Sequence, residues 1–240
     1  MNEWLLRTET LLGKEKLSAL ESARVLVVGL GGVGSWAAEM LCRSGIGSMT
    51  IVDGDTVSAS NRNRQLPALT STEGRYKADV LGERLLDINP ELKLTVVREF
   101  IRDGRMIEIL DRGFDSVVDA IDTLSPKVFL IHHTVCRRIP LVSSMGSGGK
   151  VDPGQIRVSD ISETVNCPLA RIIRKRIHRM GIRNGFTAVW SPEKPDKSKV
   201  IAVTGEMNKA SVVGTVSYMP ALFGIMCASA VIRNLAGLKT

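Results

Sequence analysis

The order of hydrophobic and polar positions divides roughly the first 145 residues into short apolar runs separated by stretches of helical spacing. Residues 24–28 run into Gly29 and predict a buried strand. The segments 48–52, ending at Asp53, then 92–97, 116–118 and 140–143 repeat the pattern. Between them, 35–43, 77–88, 105–110 and 127–137 predict helices, and Asn89-Pro90 stops the second of these. Residues 1–22 read as a polar helix with apolar Trp4, Leu5, Leu11, Leu12, Leu17 and Leu20. Strands that alternate with helices predict an α/β fold, a doubly wound, mostly parallel, Rossmann-like sheet.

Beyond residue 145 the pattern changes. Gly-Ser-Gly-Gly at 146–149 is followed by a short strand at 156–158 and a basic helix from about 168 to 180. Residues 192–209, polar and holding Pro192 and Pro195, read as a long, mobile loop. Residues 210–232 contain no charge and are long enough to span a bilayer. Ser211, Thr215, Ser217, Pro220 and Ser229 interrupt the run, so a terminal helix buried in the core or in a dimer interface is the preferred reading. A membrane span or anchor is the alternative. The expected organisation is one unit over 1–240, with a nucleotide-binding core at 24–145 and a smaller extension at 146–240 for substrate and dimer contacts.

Charge and cysteines narrow the partners. The net charge of +7 suits an anionic partner such as a nucleotide, RNA or anionic lipid. Aromatic residues make up only 4%, which argues against a stacking platform for single-stranded nucleic acid. Cys42, Cys136, Cys167 and Cys227 form no C-x-x-C pair, so a structural zinc site of the usual spacing is not expected. Scattered cysteines and the absence of a long apolar run at the N-terminus point to the cytoplasm.

The chemistry centres on Gly29-Leu30-Gly31-Gly32-Val33-Gly34, placed after a strand and before a helix. Glycines there let backbone N–H groups approach a phosphate, and the helix presents its positive end to the anion. Asp53, at the end of the next strand, can accept hydrogen bonds from a ribose hydroxyl. This much fits NAD, FAD or ATP equally. Arg64 and Lys77 discriminate: attack at the α-phosphorus of ATP builds charge on phosphate oxygens and on departing pyrophosphate, and cations stabilise it. Taken singly, each also reads as a solvated surface cation. Asp122, just past the fourth strand, can hold Mg²⁺, or can cap the following helix.

The strings V-V-G-L-G-G-V-G-S-W-A-A-E, I-V-D-G-D, N-R-N-R-Q, K-A-D and D-A-I-D-T together resemble the ThiF/MoeB/HesA superfamily, bacterial relatives of the ubiquitin-activating enzymes. Within it, R-T-E-T-L-L-G (7–13), S-S-M-G-S-G-G-K-V-D-P (143–153) and Q-I-R-V-S-D-I-S-E-T (155–164) are similar to the branch that dehydrates threonylcarbamoyladenosine in tRNA. The sulfur-carrier activators of the superfamily usually carry paired zinc cysteines that this chain lacks. The resemblance implies that Gly31, Gly32 and Gly34 hold ATP phosphates, with Gly29 opening the loop. Asp53 would bind ribose, and Asp55 would lie near the metal or reaction centre. Asn61, Arg64, Gln65 and Lys77 would surround the triphosphate, and Asp122 would coordinate Mg²⁺. Arg7 resembles an arginine that reaches the partner's ATP in family homodimers.

The implied reaction is adenylation of a carboxylate on tRNA, followed by ring closure within the same side chain, so that no enzyme nucleophile is required. The basic stretch 171–183, with Ile172, Ile173 and Ile177 among its cations, is the expected tRNA contact, and a plain solvated face is the alternative. Three rival readings remain. One is an activator of a ubiquitin-like sulfur carrier, with a sulfur-relay partner and Cys167 as its candidate residue. The others are a nicotinamide-dependent oxidoreductase and a catalytically silent scaffold.

Overall fold

The computed structural model describes residues 3–194, 200–202 and 211–238. Helices α1 (Leu6–Leu12) and α2 (Lys14–Ser22) lead into β1 (Arg24–Val28), α3 (Gly34–Arg43), β2 (Ser48–Val52), α4 (Lys77–Ile88) and β3 (Lys93–Val97). Then come α5 (Asp103–Leu110), β4 (Ser116–Asp119), α6 (Leu124–Cys136), β5 (Leu141–Ser144), β6 (Arg157–Asp160), α7 (Pro168–Arg179) and β7 (Thr187–Trp190). A small hairpin of β8 (Val200–Ala202) and β9 (Ser211–Val213) precedes the last helix, α8 (Tyr218–Leu235).

Seven strands form one sheet in the order β3-β2-β1-β4-β5-β7-β6, parallel throughout except for β6 against β7. The unbroken apolar run of β1 reflects burial on both faces: Val25 and Val27 belong to one hydrophobic cluster, Leu26 and Val28 to another. Helices α3, α4 and α8 cover the first face, and α5, α6 and α7 the second. Strand order reverses between β1 and β4, where Val28 is in register with both Val52 and Asp119. The chain leaves these strands in opposite directions, opening a crevice at their C-terminal ends.

The structure corrects several boundaries. The helix expected over 1–22 breaks at Gly13, whose φ of 85° an ordinary side chain rarely adopts. Helix α6 starts three residues earlier than its apolar pattern suggests, because Pro126 sits in the first turn, where its missing N–H costs nothing. Strand β7 was not expected; its short run gains its identity only by pairing with β5 and β6. The loop expected over 192–209 contains β8, while residues 195–199 and 203–209 lie outside the described residues, so its mobility does too. The apolar stretch 210–232 is not one helix: β9 occupies its start, and α8 runs from Tyr218 to Leu235.

Helix α8 is long and apolar enough to cross a membrane by length and composition. Yet Met219, Phe223, Cys227, Ala228 and Val231 are buried in the sheet-side cluster, as a core helix requires. It lies close against α3 because Gly224 has no side chain: a Cβ there would come within 2.3 Å of the Val33 carbonyl oxygen and 2.9 Å of Trp36 Cβ. Gly224→Ala is therefore expected to force α8 away from α3 and cost about 1–3 kcal/mol, as overpacked cores do. A lowered urea midpoint at unchanged m-value checks this.

Candidate functional site

The four loop glycines do different work. Gly29 has a φ of 87°, and a Cβ on it would meet the Ala120 carbonyl oxygen at 2.7 Å. A Cβ on Gly34 would fall 1.7 Å from the Gly29 carbonyl oxygen. Backbone packing thus requires these two. Gly31 and Gly32 instead face side chains: Gln65 Nε2 lies 3.7 Å from the Cβ position of Gly31, while Pro220 Cβ and Arg64 Cγ lie 3.0 and 3.3 Å from that of Gly32. The first turn of α3 and the first turn of α8 meet over this loop. The N–H groups that open a helix have no partner within it, which makes the loop a receptor for an anion.

Asp53 holds the loop in place. Its carboxylate accepts hydrogen bonds from the Leu30 N–H at 2.6 Å and the Asp55 N–H at 2.7 Å. Burial pushes the carboxyl up from its ordinary pKa, against the opposing pull of Lys77 and these two N–H groups. Lys77 is not a solvated cation. Its side chain is 6% exposed and its Nζ pairs with Asp55 Oδ2 at 2.8 Å, Asp55 remaining half exposed at the crevice.

The Asn-Arg-Asn-Arg-Gln segment forms a tight turn. Buried Asn61 accepts from the Ser58 N–H through Oδ1 (3.1 Å), and its carbonyl accepts from the N–H groups of Arg64 and Gln65 at 3.1 and 2.9 Å. The Asn61 oxygen therefore shapes the turn that aims its neighbours. Arg64 donates to Ser60 O and Asn63 Oδ1, and interacts electrostatically with Asp122; burial pulls its pKa down and Asp122 pushes it back up. Gln65 is 8% exposed, and its Oε1 is a buried acceptor with no hydrogen-bond donor among the described residues. A buried polar atom of this kind calls for a partner. Beside the Arg64 cation and the glycine turn, it fits a ligand that carries both phosphates and donors, as a nucleotide does.

Asp122 does not cap α6, because Thr123 occupies the cap position. Among the described residues no group of three or more His, Cys, Asp or Glu forms a metal site. A single carboxylate such as Asp122 could hold Mg²⁺ only with phosphate oxygens and water completing its shell. The reading from sequence overlooked a neighbouring trio. Asp119 and Lys127, both wholly buried, pair at 2.8 Å, and Ser143 Oγ donates to the same Asp119 oxygen at 2.6 Å. Cys227 on α8 adjoins them, its thiol pushed up to about 12 by burial. A lysine in the otherwise apolar stretch 127–131 is the signal that was available for this trio.

Arg7 is not brought to the crevice of its own chain. It is exposed on α1, two residues after Leu5, which packs on Gly45 just before β2 begins, at the opposite edge of the sheet. The basic helix does come near. Arg176 Nη1 reaches Ser125 Oγ (3.4 Å), three residues from Asp122, and Arg171, Lys175, Arg179 and Arg183 are exposed. Arg174 is engaged internally with the carbonyl and hydroxyl oxygens of Thr164. Cys167, the cysteine a sulfur transfer would use, is buried. The glycine stretch 146–149 anchors the hairpin beside the site: Gly149 N–H donates to Gly214 O at 2.8 Å, and Tyr218 OH to Val151 O at 2.8 Å.

Comparison with known proteins agrees with this geometry. A tRNA threonylcarbamoyladenosine dehydratase of Bacillus subtilis is 42% identical over 79% of this chain and 74% of its own. That of Escherichia coli is 36% identical over 95% and 91%. A crystal structure of the E. coli enzyme in complex with ATP superposes with a TM-score of 0.89 at 35% identity, covering 99% of this chain and 96% of that one. A molybdopterin-synthase adenylyltransferase of E. coli matches at 34% identity, but over only 62% of this chain. The ThiF family model matches residues 5–240, and with the glycine turn, Arg64, Lys77 and Asp122 gathered at one crevice, the chain belongs to the ThiF family.

Proposed function

We propose that this protein uses ATP to dehydrate threonylcarbamoyladenosine in tRNA, through an acyl-adenylate, to a cyclic product. The observation that carries the reading is the extent of similarity. Dehydratases match the chain through the basic helix and α8, whereas the carrier-protein adenylyltransferase matches under two thirds of it. Burial of Cys167 also weighs against the sulfur-carrier alternative.

ATP is a substrate in this reading. The glycine loop receives its phosphates, with Gln65 and Asn61 lining the turn beside them and Asp53 tying the loop to the ribose side. The threonyl carboxylate attacks the α-phosphorus and pyrophosphate leaves. Arg64 and Lys77 balance the charge that develops, with Asp55 holding the Lys77 ammonium in place. Asp122 would hold Mg²⁺, which would supply charge neutralisation on the triphosphate. A nitrogen or oxygen of the same side chain then attacks the activated carbonyl, AMP departs, and the net change is loss of one water. Positioning supplies much of the rate of this intramolecular step.

The tRNA rests on the exposed cations of α7, which adjoin the Asp122 loop through Arg176 and Ser125. A homodimer fits two observations: Arg7 lies at the far edge of its own sheet, and α8 presents Leu222 and Ile225 only half buried. The expected compartment is the cytoplasm.

Incubation of threonylcarbamoyl-modified tRNA with enzyme and ATP, followed by nucleoside mass spectrometry, should reveal the nucleoside one water lighter. Pyrophosphate exchange that responds to a carrier protein and not to tRNA would contradict it. Arg64→Ala and Asp122→Ala should each lower kcat by about 10²-fold or more, the scale seen when one group stabilising the transition state is removed. Charge reversal at Arg171, Lys175 and Arg179 should raise the KM for tRNA. It should also flatten the salt dependence of binding by about one unit of log–log slope for each phosphate no longer neutralised. Arg174→Glu would be a poor probe, since that side chain is part of the packing.

A further inference from the structure

A buried ion pair is a weak device for stability, because removing two charges from water costs about as much as their attraction returns. The Asp119–Lys127 pair must be considered for what it holds. Asp119 Oδ1 accepts from the Ile121 N–H (3.1 Å), and Lys127 Nζ donates to the Ile121 carbonyl oxygen (3.0 Å). One residue earlier, the Ala120 N–H donates to Val28 O at 2.9 Å, and the Ala120 carbonyl lies against Gly29. Both backbone polar groups of Ile121 are therefore gripped by one pair of opposite charges. The Ile121 carbonyl belongs to the peptide plane that leads into Asp122, and peptide planes are stiff.

We propose that Asp119 and Lys127 are positioning residues for Asp122. By fixing the 121–122 peptide from both sides, and with Ser143 orienting Asp119, they set where the Asp122 carboxylate sits at the crevice. The inference rests on Asp122 acting in the adenylation step. An apolar pair could fill the same volume but has no donor for the Ile121 carbonyl. That accounts for a salt bridge in a place where stability alone does not favour one.

The test uses Asp119→Asn/Lys127→Met, which removes both charges at nearly constant volume, together with Asp122→Ala and the triple variant. Thermal unfolding and the kcat and KM of ATP–pyrophosphate exchange in the presence of modified tRNA are measured for each. The double variant should stay folded with a modestly lowered melting temperature, since the Ile121 carbonyl loses its donor. It should keep its KM for ATP and lose kcat on the order of ten- to hundredfold, the scale of a small misplacement. In the Asp122→Ala background the same replacement should cost no further kcat, since residues acting as a unit are not additive. A folded double variant with parental kcat overturns the proposal, as does an equal additional loss in the Asp122→Ala background. Parental activity of Asp122→Ala alone overturns the reading of Asp122 instead, and the positioning role with it. Should the double variant not fold, Lys127→Arg decides. It keeps the charge but moves the donors, and kcat lowered at constant KM supports the proposal while parental kcat overturns it.

Discussion

The closure of the β1–α3 turn upon itself governs the rest of this molecule. The Gly29 carbonyl occupies the space where a side chain on Gly34 would begin, and the Ala120 carbonyl occupies the space where one on Gly29 would begin. With no Cβ at either position, α3 starts directly above β1 and the loop after β4 closes onto the same turn. Asp53 then reaches the Leu30 N–H from β2, and the Asp119–Asp122 segment approaches from β4. Three strand ends are thereby drawn to one point, with anion-seeking N–H groups at its centre.

Charge is distributed around that point according to burial. Lys77, Asp119 and Lys127 are enclosed and paired, so their charges are fixed in place. Arg64, half-buried, and Asp122, exposed, interact electrostatically, where a ligand's own charges can reach them. Gln65 brings an acceptor that no donor among the described residues satisfies. A dinucleotide fold needs little of this, since backbone and helix dipole suffice for a pyrophosphate. The concentration of cations beside the loop accords with a site whose ligand gains charge during reaction. α7 continues the positive surface outward from the same loop, which joins the nucleotide crevice to a face suited to RNA.

The rival readings separate on physical grounds. A sulfur-transfer route needs an accessible thiol near the adenylate, and Cys167 is packed inside the second hydrophobic cluster. A membrane-spanning role for α8 needs a lipid-facing apolar surface around the helix. Instead one face is consumed by contact with α3 and the sheet, held by the tight approach at Gly224.

The sequence by itself determined the fold class, the five principal parallel strands and the glycine turn. Those features follow from local periodicity and from backbone conformations that only certain residues adopt. It also marked Arg64, Lys77 and Asp122, through the chemistry an α-phosphorus attack needs. It left open whether Lys77 was solvated and whether Asp122 was a helix cap, because burial and cap geometry depend on what packs against them from elsewhere in the chain. Strands β7, β8 and β9 were invisible for a related reason: runs of three or four residues become strands only through their partners. The Asp119–Lys127–Ser143 trio, gathered from the end of β4, the first turn of α6 and the middle of β5, could be decided only by the tertiary structure. Side chains so far apart along the chain become one buried group only when the sheet brings them together.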